Sequence, residues 1–169
     1  MIQTALRIAL SGLAVVGVAS ASLIGGSAIA SVATNAAAHQ PQDVVMVDPK
    51  AGQQLYAEET ATFPYSLPEG ASWPGLPPML LKDDVRMESN VPRALASQYW
   101  LCAWEGAYLE SSVAGKADDR ALDMIVAFES LPYYKEQVID PEQGWYKGVL
   151  TPALTGDLSG VAQDYEGCK

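Results

Sequence analysis

Between Ile8 and Gln42 the chain contains no Asp, Glu, Lys or Arg, and over its 169 residues it has one histidine, two cysteines and ten basic residues. Each shortage excludes a class of chemistry. The lone histidine, His39, lies in a stretch with no periodic pattern. Unless it folds back, a Ser-His-Asp arrangement and any histidine-based metal site are excluded. Two cysteines alone cannot close a tetrahedral zinc site, and neither has a histidine nearby in sequence to generate a thiolate. A glycine-rich phosphate loop is missing, since Gly12, Gly17, Gly25 and Gly26 all fall in the uncharged segment. The alternating acidic ligands of an EF-hand are missing too.

Basic residues are outnumbered by 20 acidic ones, giving a net charge of −10. Without residues 1–30, which hold one Arg and no acid, the charge becomes −11. Such a surface repels phosphate backbones and anionic head groups, which argues against nucleic-acid partners. Its simplest consequence is solubility.

What is present begins with the uncharged run itself. Ile8, Leu10, Leu13, Val15, Val16, Val18, Leu23 and Ile24 give it strong apolar character. A helix over residues 8–24 is about 25 Å long, a little short of a roughly 30 Å hydrocarbon core. Extended through Gly25-Gly26 to Val32 it spans with some tilt. Small-residue triplets at Ala28-Ile29-Ala30 and Ala36-Ala37-Ala38 suit a signal peptidase. Residues 1–30 therefore read as a signal peptide or a transmembrane anchor, with membrane contact if uncleaved. Arg7 precedes the segment and Asp43 and Asp48 follow it. The positive flank stays cytoplasmic and the bulk of the chain goes outside. In an oxidising exterior Cys102 and Cys168 are expected to bond, tying the C-terminal end to a central helix.

Residues 31–62 read as a linker with a possible short helix, started by Asp48-Pro49 as cap and first-turn proline. Residues 63–169 read as an extracytoplasmic α-rich domain of about three to four helices, so the fold class is mainly α. The domain opens with a strap in which Pro64, Pro68, Pro74, Pro77 and Pro78 enforce extended geometry. Phe63, Tyr65, Leu67, Trp73 and Leu76 are interleaved with them. Pro-Gly-Leu-Pro-Pro can serve as a polyproline II ligand. So many bulky side chains argue instead that the strap lies across helices.

After an irregular stretch over residues 79–87, Asn90 is expected to cap a central helix over residues 93–113, ending at Gly115. Leu95, Tyr99, Cys102, Gly106 and Leu109 form one stripe along it; Trp100, Trp104 and Tyr108 form another. Asp118-Asp119 opens the next helix, closed by Pro132. A tyrosine-rich connector follows, and Asp140-Pro141 starts a helix that breaks near Pro152. A last short helix runs from Asp157 to about Tyr165.

One constellation suggests chemistry. Glu105 follows Trp104 on the central helix, with Trp100, Tyr108, Tyr133 and Tyr134 as possible neighbours. A carboxylate framed by aromatic rings suits a glycan groove, where rings stack on sugar faces and a desolvated acid donates a proton. The plainer reading places Glu105 on a narrow polar face, paired with Arg or Lys, and the rings in the core. Asp118 and Asp123 are five apart and fall on different helix faces, so capping and dipole compensation explain Asp118-Asp119 better than a metal does. No metal and no cofactor is expected. The expected function is therefore a small, acidic, exported or membrane-anchored bacterial envelope protein. It acts as a non-enzymatic interaction or accessory module for a partner protein or envelope polymer. The alternative is a small cell-wall glycan-active hydrolase or lyase using Glu105.

Overall fold

The computed structural model describes residues 45–81, 85–116 and 118–169. The expected signal or anchor, and most of the tether behind it, lie outside the described residues. Among those described, no helix is long and apolar enough to cross a membrane. The architecture of the described residues is mainly α: six α-helices, short 3-10 turns and one two-stranded ribbon.

Strand β1, Met46–Val47, pairs antiparallel with β2, Met87–Glu88. Between them helix α1, Pro49–Ala61, starts as its sequence indicates. The Asp48 side chain accepts from the Ala51 amide, and proline occupies the first turn. Gly52 is buried in α1 because a side chain there would meet Met87 Sδ at 2.8 Å. Helix α1 packs on the central helix, so the compact unit reaches upstream of residue 63 and takes in the helix expected in the linker. Arg93 ties the elements together, reaching Glu59 of α1 at 3.3 Å and Glu136 at 2.9 Å. These pairs are partly exposed, so each contributes little.

Helix α2, Val91–Val113, is the axis of the fold. Trp100, Leu101, Trp104 and Tyr108 are buried along it, and so are Ala96, Ser97, Glu105 and Gly106. Burial runs around most of its circumference, as its two stripes require. One expectation fails at its start. Asn90 makes no side-chain cap and has a helical backbone (φ −87°, ψ −14°). An N-cap needs extended φ/ψ to turn its oxygen toward the N2 and N3 amides, and Pro92 has no amide to offer.

The strap covers α2 as the bulky-residue argument expects. One carbonyl, Ser66 O, accepts from both Trp100 Nε1 at 2.9 Å and Trp104 Nε1 at 3.0 Å. Phe63 and Tyr65 lie against Trp100, with ring centroids 5.7 and 5.5 Å away, and Trp73 lies 5.1 Å from Phe63. Arg120 closes the far side, stacking 5.5 Å over Trp104 and donating to Ser66 Oγ.

Helix α3, Asp119–Ala127, is capped by Asp118, whose carboxylate accepts from the Arg120 and Ala121 amides. Its Ile125 is fully buried. Pro132 does not simply close this helix; it opens another, α4, Pro132–Gln137, where a connector was expected. Proline at the first helical position loses only an amide that has no partner there in any case. Asp140 acts further along than the Asp-Pro signal implies, accepting from Gly144 N at 2.7 Å and Trp145 N at 3.0 Å.

The chain does not break at Pro152. It widens into a π-helical segment, Tyr146–Leu150, that runs into α5, Thr151–Leu154. Proline has no N–H and its ring collides with the carbonyl four residues back; the wider turn relieves both. The freed region near Gly148 is where α6, Ser159–Tyr165, crosses. A Cβ on Gly160 would lie 2.2 Å from Gly148 O. Backbone fills that space, so nothing flexible can yield. Gly160→Ala is expected to destabilise the domain by about 1–3 kcal/mol. The measurement is a lower denaturant midpoint at an unchanged slope.

Candidate functional site

Glu105 lies on the face of α2 that meets α6 and the C-terminal turn. Its side chain is fully buried. The turn, Glu166–Cys168, is held there by the Cys102–Cys168 disulfide, whose Cα atoms are 5.8 Å apart. Gly106 allows the approach, because the space a Cβ would take there is filled by the Tyr165 ring, 3.1–3.3 Å away.

Among the described residues, no basic side chain pairs with Glu105. Arg93 is engaged with Glu59 and Glu136, and Lys169 with Glu166. Cys168 Sγ sits 3.8 Å from Glu105 Oε2, but a disulfide sulfur has no proton to donate. Oε1 has no hydrogen-bond partner. The charge that acts on it is another acid, Asp164, whose Oδ2 accepts from Trp145 Nε1 at 3.1 Å. Burial pushes the Glu105 carboxyl up to about 9; the negative charge of Asp164 and its ability to accept from the protonated acid raise it further within that value. Glu105 is thus a neutral acid at pH 7, held against a carboxylate and a disulfide. The ion pair considered from sequence is replaced by an acid–acid contact.

The aromatic residues named with Glu105 do not form one groove with it. Trp100, Trp104 and Tyr108 are 0, 2 and 3 % exposed. Both indoles donate to the strap, and the Tyr108 hydroxyl donates to Ala153 O. Tyr133 and Tyr134 are half-buried against Phe128, and Tyr134 also packs on Trp145. Tyr134 is therefore linked to Glu105 only through Trp145 and Asp164. No ring offers a free face beside the carboxyl.

An open concavity lies elsewhere, across the disulfide. A groove of about 620 Å³ runs between the strap and α2, bounded by Tyr56, Pro74, Leu76, Tyr99, Tyr165 and the Cys102–Cys168 bridge. Glu105 does not line it. Tyr99 is braced by donating to Ser72 O at 2.9 Å and by Trp73 at 5.7 Å. The Tyr56 hydroxyl is buried with no partner, and burial first, then Tyr99, pushes its acidity range up.

Sequence reasoning missed Asp164 beside Glu105 and the Tyr56–Tyr99–Tyr165 wall. Tyr99 stood in the α2 stripe, but its partners come from both ends of the domain and no local spacing links them. Comparison of the chain with protein-family models, curated proteins and solved structures yields no match.

The electrostatics give a testable sign. Glu105 titrates near 4.5 when unfolded and near 9 when folded. Its stabilising neutral form is complete below 4.5, and stability is lost as pH rises through that window, by roughly 1.4 kcal/mol per unit. Urea denaturation between pH 5 and 8 is expected to show this decline. Glu105→Gln, neutral throughout, should lack this component and exceed the wild type at pH 8.

Proposed function

We propose that this chain is an exported, non-enzymatic accessory module of a bacterial envelope, working through the groove between the strap and α2 on a partner protein or envelope polymer. The observation that carries the reading is the separation of the two features a glycan-cleaving site would have to combine. Glu105, the one acid among the described residues with raised proton affinity, is fully buried behind the disulfide, while an open aromatic-lined groove is on its other side. A general acid must come within hydrogen-bond reach of the bond it protonates. Glu105 has no such access.

The groove suits binding. Its volume lies in the range of ligand sites, its walls are tyrosine and proline, and its polar groups are few. Export is supported by the uncharged apolar run over residues 8–42 and by the single disulfide, which fits an oxidising compartment. The acidic charge favours solubility and basic partners. Membrane attachment follows if residues 1–30 are retained.

Co-sedimentation of the full chain with isolated envelope material tests this reading. Leu76, exposed on the groove rim, can be changed without touching the core. Leu76→Asp is expected to weaken retention by about tenfold, while Glu105→Gln leaves it unchanged and neither wild type nor variant degrades cell-wall glycan. Glycan cleavage lost in Glu105→Gln, or recovery of full-length reduced protein from the cytosol, overturns it.

A further inference from the structure

The Cys102–Glu105–Cys168 cluster has a second possible state. One ligand-type atom from each residue, the two sulfurs and a carboxylate oxygen, lies within 4.8 Å of the others. A tetrahedral zinc ion with metal–sulfur bonds near 2.3 Å and metal–oxygen bonds near 2.0 Å holds neighbouring ligands about 3.5 Å apart. The 3.8 Å between Cys168 Sγ and Glu105 Oε2 is close to that. Two cysteines alone are too few for such a site, but two thiolates and a carboxylate provide three protein ligands and leave the fourth position to water. The independent observation is Glu105 itself: fully buried, with Oε2 facing Cys168 Sγ and Oε1 making no hydrogen bond. A structural disulfide does not need a carboxyl behind it, whereas a chelate does.

We propose that, once its disulfide is reduced, this cluster is a binding site for a zinc-class divalent cation held by Cys102, Cys168 and Glu105. The inference is independent of the groove's role in recognition, although the groove supplies the access route. Both cysteines line it, so a reductant and then a cation reach the sulfurs from solvent and meet the carboxyl behind them. Cys168 sits in a three-residue turn outside α2, so the sulfurs can separate to thiolate spacing without moving α2. A dithiol reductant delivers two electrons and two protons: the Cys102–Cys168 bond breaks to two thiols and the reductant closes its own disulfide. Cation binding then displaces one proton from each thiol and one from Glu105. Affinity therefore rises with pH. Soft thiolates select zinc-class ions over magnesium and calcium.

The test is titration of the full chain with Co²⁺, before and after reduction by a phosphine, which adds no competing thiol. Reduced wild type is expected to develop a thiolate-to-cobalt absorption and the intense visible bands of four-coordinate cobalt, both erased by one equivalent of Zn²⁺. The oxidised chain should show neither. Glu105→Gln, folded by its far-ultraviolet dichroism, should bind cobalt at least tenfold more weakly, and Cys102→Ser with Cys168→Ser should abolish the thiolate band. Should the reduced chain lose helicity, Zn²⁺ is expected to restore it. Reduced protein without a thiolate band, cobalt affinity in Glu105→Gln within twofold of wild type, or a reduced chain still unfolded with zinc overturns the proposal.

Discussion

A helix buried around most of its circumference is the constraint from which the rest of this structure follows. Helix α2 presents indole, phenol and aliphatic side chains in several directions, and one neighbouring helix covers only a single stripe of another. Helices α1, α3 and α6 take three sides. The side bearing Trp100 and Trp104 is left to non-helical chain, and indole N–H groups must find acceptors when buried. Extended backbone has carbonyls free to accept. Ser66 O satisfies both donors at once, so the proline-rich strap is fixed by the polar needs of the tryptophans as much as by its own apolar side chains. The groove is walled on one side by the strap beyond Trp73, residues 74–78, and on the other by α2.

Much of this was legible in order along the chain. Asp48 and Asp118 announce helix starts because a carboxylate before a run of amides has one good use, and both make those bonds. The length and centrality of α2 follow from its two stripes. Proline was harder, since it can end a helix or occupy its first turn with the same side chain. Pro132 does the second, and so does Pro152, in the first turn of α5 directly after a widened π segment. No rule based on regular helical spacing anticipates a π turn.

The candidate site was less legible, for a related reason. Glu105 could be singled out, but its surroundings are supplied by residues at the far end of the chain: Asp164, Tyr165 and Cys168. Local spacing says that a carboxyl on α2 points somewhere near the polar–apolar boundary; only the return of α6 makes that direction buried. Trp100, Trp104 and Tyr108 were read at helical spacing as either core or a ring-lined groove, and the strap decides the matter. Tyr56 had no distinguishing signal at all, because its helix buries only two residues.

The disulfide and Glu105 belong to one balance. Closing a loop between residues 66 apart in sequence stabilises by about 4 kcal/mol in the chain-entropy account. Keeping Glu105 protonated at pH 7, when its unfolded form ionises near 4.5, costs about 3 kcal/mol. The two are comparable and opposed, so the bridge offsets most of what the buried acid takes away near neutrality. At pH 5 the penalty nearly vanishes and the bridge becomes a net gain. Redox state and pH are therefore not separate influences on this fold, because they act on groups in contact. A replacement that merely neutralised Glu105 would leave the reduced domain more stable near neutral pH than the natural residue does. Stability alone gives no reason for a glutamate here, which directs attention to what its carboxylate can hold once the sulfurs are free.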